Sequence, residues 1–327
     1  MRIAVIGAGA IGCLAAGYLK EKGEEVTLVG RGQTVSRIKD KGLAISGVRG
    51  NFLVRLAISG TLNYAPDLAI LATKTQDIDE VLQDSSFLLR NSLLLTTQNG
   101  VQADNLAAKY LDRKKIISSI VMFGATYLEP GKVVHNFEGS WVLGAESPIP
   151  VREALGKAFP VVISEDIRGM KYLKIFTNAN NCLPGILGKS MQEVFADPDI
   201  SRISVAIWKE GLRIIEKAGI NLISLPGFPV ENITRLTAMP TDEGARVFSG
   251  IMQGLSKDPL YGSILQSIMR GKASEIDYIN GEFVRLAEEH NALAPLNKVL
   301  VDMVHSVEKN NRFYAKNDLI KNTKELV

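Results

Sequence analysis

Cysteine and histidine are scarce in this chain: two cysteines, Cys13 and Cys182, and three histidines, His135, His290 and His305, stand among 327 residues. Two thiols cannot build a disulfide framework, and neither they nor the widely spaced histidines have the pattern of a zinc site, so no metal is expected. No apolar run reaches the roughly 18 residues that a membrane span needs. The apolar start at residues 3–6 is also too short for a secretory leader. An excess of one charge is missing too. The 38 basic and 35 acidic residues leave a net +3 spread along the chain, without the basic block of a nucleic-acid binder. No Gly-x-Ser-x-Gly elbow and no P-loop occur. What is present is 46% hydrophobic and 22% charged residues, the balance of a packed soluble protein. The expectation is a cytoplasmic protein whose partner is a small molecule rather than a nucleic acid or a membrane.

At about 150 residues per domain the length predicts two domains. In the first third, short apolar runs at 3–6, 26–29, 68–72 and 93–96 alternate with helical patterns at 11–22 and 78–89. Strands alternating with helices predict an α/β unit of the Rossmann type, a mostly parallel, doubly wound sheet covered on both faces. From about residue 115 the pattern changes to strand-like runs at 116–121, 132–136, 141–143 and 161–164, read as a meander appended to the nucleotide sheet. Beyond Arg168 only helical spacing remains, at 171–181, 201–218, 245–253, 274–290 and 296–310. The prediction is therefore a nucleotide-binding domain over 1–168 and an all-α substrate and catalytic domain over 169–327. The polar tail from 317 onward is expected to fray.

Gly7-Ala8-Gly9-Ala10-Ile11-Gly12 fits the G-x-G-x-x-G fingerprint, and its context is right: a strand before, a helix after, and a second strand from Val26. In that fingerprint the first glycine allows the tight turn and the second lets backbone approach a pyrophosphate. The third allows close helix–sheet packing, and the helix N-terminus favours the phosphate charge. The end of the second strand discriminates between dinucleotides. NAD binders place an acid there to accept from the ribose hydroxyls. Here Val29-Gly30-Arg31 has none, and Arg31 can fork onto a 2′-phosphate, so NADP is preferred, unless Arg31 is a solvated loop residue. Lys74 follows the strand at 68–72, where ligands of open α/β sheets lie, and can reach cofactor phosphate or ribose. Asn99, in Gln98-Asn99-Gly100 after the next strand, either binds a ribose hydroxyl or substrate oxygen or belongs to an Asn-Gly turn.

In the second half Lys174 and Asn178 are one helical turn apart, and Asn181 lies on roughly the same face. A lysine among Leu173, Ile175 and Phe176 either snorkels to solvent or is held in a cleft, where a lowered pKa would make it a proton donor to a carbonyl oxygen. Ser274 can N-cap the following helix with Asp277 completing a capping box. Glu275 is then either a first-turn acid facing the helix dipole or a functional carboxylate.

Taken together these motifs resemble the ketopantoate reductases (2-dehydropantoate 2-reductases) over nearly the whole chain. The resemblance rests on the glycine turn with Arg31, Lys74, Gln98-Asn99-Gly100 and Lys174-x-x-x-Asn178. It rests also on Ser263-Ile264-Leu265-Gln266 followed by Glu275-Ile276-Asp277-Tyr278-Ile279-Asn280-Gly281, with Pro295 and Asn297 beyond. It implies a Rossmann domain and a helical domain with the active site between them, and NADPH as hydride donor to the C2 ketone of ketopantoate. The product would be pantoate, for pantothenate and coenzyme A synthesis. It implies Lys174 as proton donor and Glu275 as the acid that positions cofactor and substrate. Asn99, Asn178, Asn181 and Ser263 would contact substrate or ribose. A homodimer is compatible with it. The position eight residues after Lys174, often asparagine in the family, is Cys182 here. The alternatives are a related NADPH-dependent reductase of another branched 2-keto or imino acid, and a non-catalytic NADP(H) sensor.

Overall fold

The computed structural model describes residues 1–256 and 259–327, apart from the side chain of Leu128. The chain divides into two compact units, Met1–Ile167 and Arg168–Val327.

In the first unit, strands β1 (Arg2–Ile6), β2 (Glu25–Val29), β5 (Ala57–Ser59), β6 (Leu68–Leu71), β7 (Leu93–Thr96) and β8 (Ile116–Ile117) form one sheet in the order β5-β2-β1-β6-β7-β8. Every pairing in it is parallel. Renumbered within this sheet, the order is the 3-2-1-4-5-6 of dinucleotide-binding folds, with the reversal at β1. The central strands are continuous apolar runs because both faces are covered. Ile3 and Val5 of β1 enter a core with Cys13, Leu14 and Leu19 of helix α1 (Ala10–Glu21). Ala4 and Ile6 enter a second core with α3 (Ile78–Leu89) and α4 (Ala103–Ala107). Helix α2 (Gln33–Lys41) follows β2.

The appended meander is not what forms. Residues 116–121 break at the buried Ser118, so that β8 ends the parallel sheet while β9 (Ser119–Val121) pairs antiparallel with β12 (Trp141–Gly144). Strand β13 (Val161–Ser164) joins β12 in parallel through the crossover helix α5 (Ile149–Gly156). A separate sheet contains β3 (Leu43–Gly47), β4 (Phe52–Val54), β10 (Gly124–Glu129) and β11 (Lys132–Phe137), in the order β10-β11-β3-β4. The hairpin β10–β11 therefore docks on a strand some ninety residues earlier, which pattern alone does not reveal. Tyr18 of α1 joins these sheets, packing against His135 and Phe159 and bonding His135 Nδ1 through its hydroxyl at 2.9 Å.

The second unit is helical: α6 (Ile167–Ala179), α7 (Cys182–Leu187), α8 (Met191–Phe195), α9 (Pro198–Lys217), α10 (Glu231–Ala238), α11 (Thr241–Gln253), α12 (Ser263–Met269), α13 (Asn280–Glu289), α14 (Pro295–Asn310) and α15 (Lys316–Thr323). The long α9 opens with Pro198 at its first turn, and Asp197 caps the N–H groups of Asp199 and Ile200. Three expectations are corrected here. Residues 274–290 are not one helix: a single 3₁₀ turn, Ile276–Tyr278, is broken from α13 at Ile279, with φ −114° and ψ −87°. The capping box of Ser274 with Asp277 does not form. Ser274 Oγ accepts from the nearby Ile276 N–H at 3.3 Å, while Asp277 pairs with His305 at 3.1 Å. The tail from 317 does not fray either, because α15 inserts Leu319, wholly buried, and pairs Lys316 with Asp197.

Candidate active site

The turn at residues 7–12 is shaped by what a side chain there would strike. Gly7 has φ +117°, and a Cβ on it would lie 2.5 Å from the carbonyl carbon of Ala72. A Cβ on Gly12 would lie 1.8 Å from the Gly7 oxygen, so helix and turn meet backbone to backbone. Gly9 is different: a Cβ there would meet nothing within 4 Å. Packing does not require a glycine here, and the open space would admit a ligand. Gly9 is also the N-cap of α1, no side chain caps the helix, and no acid lies in its first turn. The first N–H groups of α1 therefore lack a side-chain partner at the positive end of the helix dipole, where the residues fit the pyrophosphate of a dinucleotide.

Strands β2 and β6 flank β1, so the segments that leave them border this turn on either side. Gly30 packs against it: a Cβ on Gly30 would come within 2.6 Å of Ala8 Cβ. Next comes Arg31, exposed, with its guanidinium held by Glu80 of α3 at 2.9 Å. Lys74, half-buried, starts the 3₁₀ turn Thr75–Asp77 after β6. Asn99 lies after β7, half-buried, with its carbonyl near Thr75 Oγ1 at 3.5 Å. Gly100 beside it has φ +81°, so the Asn-Gly turn is real, and it leaves Asn99 at the ligand end of the sheet. The neighbouring Gln98 fixes these loops: its amide donates to the Leu71 and Thr73 carbonyls at 2.9 and 3.0 Å.

In the second unit α6 buries Leu173, Ile175 and Phe176 completely or nearly so, and presents Lys174 and Asn178 on its less buried face. Lys174 is half-buried as a residue, yet its amine is desolvated enough that burial lowers its pKa from 10.5 to about 8. Asn181, the N-cap residue of α7, lies against the approach to α12, where a Cβ on Gly262 would sit 3.0 Å from its Cγ. This brings Asn181 beside the turn that carries the exposed Ser263. Glu275 is half-buried at the head of the 3₁₀ turn Ile276–Tyr278, a different segment from the other four. The glycine turn, Arg31, Lys74 and Asn99 belong to the first unit, and Lys174, Asn178, Asn181, Ser263 and Glu275 to the second.

A buried polar chain escaped the sequence reading. Glu210 of α9, 3% exposed, accepts from the Leu296 and Asn297 N–H groups at 3.1 and 2.8 Å and from Asn297 Nδ2 at 2.8 Å. The carboxylate thus caps α14 from another helix. Asn297 Oδ1 accepts from Asn280 Nδ2 at 2.9 Å, and the same amide lies 3.8 Å from Cys182 Sγ. Burial raises the Cys182 thiol well above its ordinary range, so it stays protonated. A glutamate on an otherwise apolar face of α9 was the available signal.

Fold and turn define a Rossmann-type protein of the dinucleotide-binding class with a second, helical unit. Residues 3–148 match the family model of ketopantoate reductase PanE/ApbA, and residues 166–308 match that of its C-terminal part. The 2-dehydropantoate 2-reductase of Pyrococcus horikoshii is 32% identical over 317 residues, covering 94% of this chain and 98% of that one. The enzyme of the same name from Archaeoglobus fulgidus is 26% identical over the same shares. The fold is shared with a PanE/ApbA family ketopantoate reductase from Ralstonia eutropha, with TM-score 0.80 at 24% identity, covering 95% of this chain and 99% of that one. It is shared equally with a D-mandelate dehydrogenase solved with NADH and anilino(oxo)acetate, with TM-score 0.81, 24% identity and the same coverage. The chain belongs to the ketopantoate reductase family.

Proposed function

We propose that this protein reduces 2-dehydropantoate to pantoate with NADPH. The observation that carries the reading is the full-length kinship with 2-dehydropantoate 2-reductases, joined to a lysine, Lys174, whose amine is tuned to give up a proton near neutral pH. The residues at 7–12 would hold the pyrophosphate, Arg31 the 2′-phosphate, and Lys74 and Asn99 phosphate or ribose oxygens. NADPH, when bound, supplies the hydride for C2 of the keto acid.

The remaining steps fall to side chains of the second unit. Asn178, Asn181 and Ser263 would hold the carboxylate and hydroxyl of the substrate, and Glu275 would position cofactor and substrate. Lys174 Nζ donates a hydrogen bond to the C2 carbonyl oxygen and transfers its proton there as negative charge develops, leaving the product alcohol and a neutral amine that solvent reprotonates. A general acid of this kind contributes ~10²–10⁴-fold, with orientation of the keto acid supplying much of the rest. Among the described residues no helix is long and apolar enough to cross a membrane, and a cytoplasmic location goes with a biosynthetic enzyme fed by a nucleotide pool.

The test is NADPH oxidation with ketopantoate set beside ketoisovalerate and other branched 2-keto acids. The reading expects the highest kcat/KM for ketopantoate. A clear preference for another keto acid, or tight NADPH binding with no oxidation by any of them, would overturn it.

A further inference from the structure

The guanidinium expected to receive a 2′-phosphate already has an anionic partner. Arg31 Nη2 lies 2.9 Å from Glu80 Oε1. Arg31 leaves the end of β2, and Glu80 stands in the first turn of α3, which follows β6. These are the two strands that flank β1, so the pair joins the two borders of the glycine turn. We propose that Glu80 is a specificity-determining residue that lowers the enzyme's preference for NADPH over NADH, so that this chain binds both; the inference rests on the dinucleotide reading above.

The reasoning is electrostatic. A 2′-phosphate carries close to two negative charges, and to fork onto Arg31 it must approach a guanidinium whose charge a carboxylate already offsets. Either Glu80 swings away or phosphate and carboxylate share one cation at close range, and both weaken NADPH. With NADH the balance reverses. Its ribose presents hydroxyl donors, and a carboxylate at this edge is the partner that NAD-binding folds use, there supplied from the end of the second strand. In this chain that strand ends in Gly30 and Arg31, and the acid comes from the helix after β6 instead. Both side chains are largely exposed, 66% and 60%, so the pair is screened by salt and can open without cost to the fold. Its effect is therefore a bias between ligands, not a block.

The experiment is titration calorimetry of the full chain with NADPH and with NADH, at low and at high salt, for the parent, Glu80→Gln and Arg31→Ala. Glu80→Gln is expected to tighten NADPH by about 2–5-fold, the range of a partly screened charge pair, and to leave NADH unchanged or weaker. Arg31→Ala is expected to weaken NADPH by more than about tenfold and to keep NADH within a few-fold of the parent. A Glu80→Gln chain with the parent's NADPH-to-NADH ratio overturns the proposal, as does a parent that binds NADH too weakly to measure beside tight NADPH. If the parent binds neither nucleotide, the dinucleotide reading falls and takes this proposal with it. Circular dichroism of each variant separates lost binding from lost folding.

Discussion

In the first unit the candidate site is centred on backbone: three glycines let a turn close, a helix begin and open space remain, and Arg31, Lys74 and Asn99 stand at its borders. In the second it is made of side chains, mounted on helices whose positions depend on partners far along the chain, such as the hold of Glu210 on α14. The first kind of site tolerates change in its surroundings but none at a few atoms. The second is sensitive to the packing that aims it. Chemistry and recognition are thereby separable by mutation, and that separability can be tested.

The sharpest break would come at Lys174. Lys174→Ala is expected to lower turnover by ~10²–10⁴-fold while NADPH affinity, measured by titration, stays within about twofold. Loss of nucleotide binding in that variant would erase the division of labour between the units. Next comes Glu210→Ala, expected to destabilise the helical unit by about 2–4 kcal/mol, since three buried donors lose a charged acceptor. Chemical denaturation should show it, with the first unit still able to bind nucleotide if the two melt separately. The pH profile tests the lysine more gently. Its ammonium is the competent form and its pKa is depressed to about 8, so kcat/KM for reduction should be level below that pH and fall about tenfold per pH unit above it. An enzyme still level at pH 10 would show that this proton is not the one transferred.

The glycine turn holds two opposite outcomes. Gly12→Ala must push its Cβ into the Gly7 backbone oxygen, which cannot swing aside, and a loss above about 3 kcal/mol of stability is expected in thermal or denaturant unfolding. Gly9→Ala meets open space and should leave stability unaltered while weakening nucleotide binding. Equal destabilisation by both would mean that the open groove at Gly9 is not a ligand's place.

The same contrast explains what could be read from the amino acids. The glycine turn and the strands at 3–6, 68–71 and 93–96 were legible because local pattern and tertiary role coincide: a strand buried on both faces must be apolar throughout. Residues 43–59 went unread because three short, half-buried strands carry little periodic signal, and β3 and β5 find partners, β11 and β2, in other segments. Lys174 was ambiguous for a different reason. Spacing shows which face of α6 bears it but not how deeply the amine is desolvated, and that depth lowers its pKa. Resemblance, not periodicity, singled it out. Glu80 left no signal and Glu210 only an acid on an apolar helix face, because each matters through a partner on another element, Arg31 in one case and the start of α14 in the other.

Leu319 carries one last consequence, for the order in which the chain takes shape as it leaves the ribosome. The nucleotide-binding half has all its strands once residue 164 has emerged, and can close its cores at once. The helical half must wait about 150 residues more, until α15 delivers Leu319 to its interior and Lys316 to the acids at the head of α9. During that interval a finished half stays tethered to an unfinished one, and it is in the unfinished one that chaperones would find exposed apolar helix faces to hold.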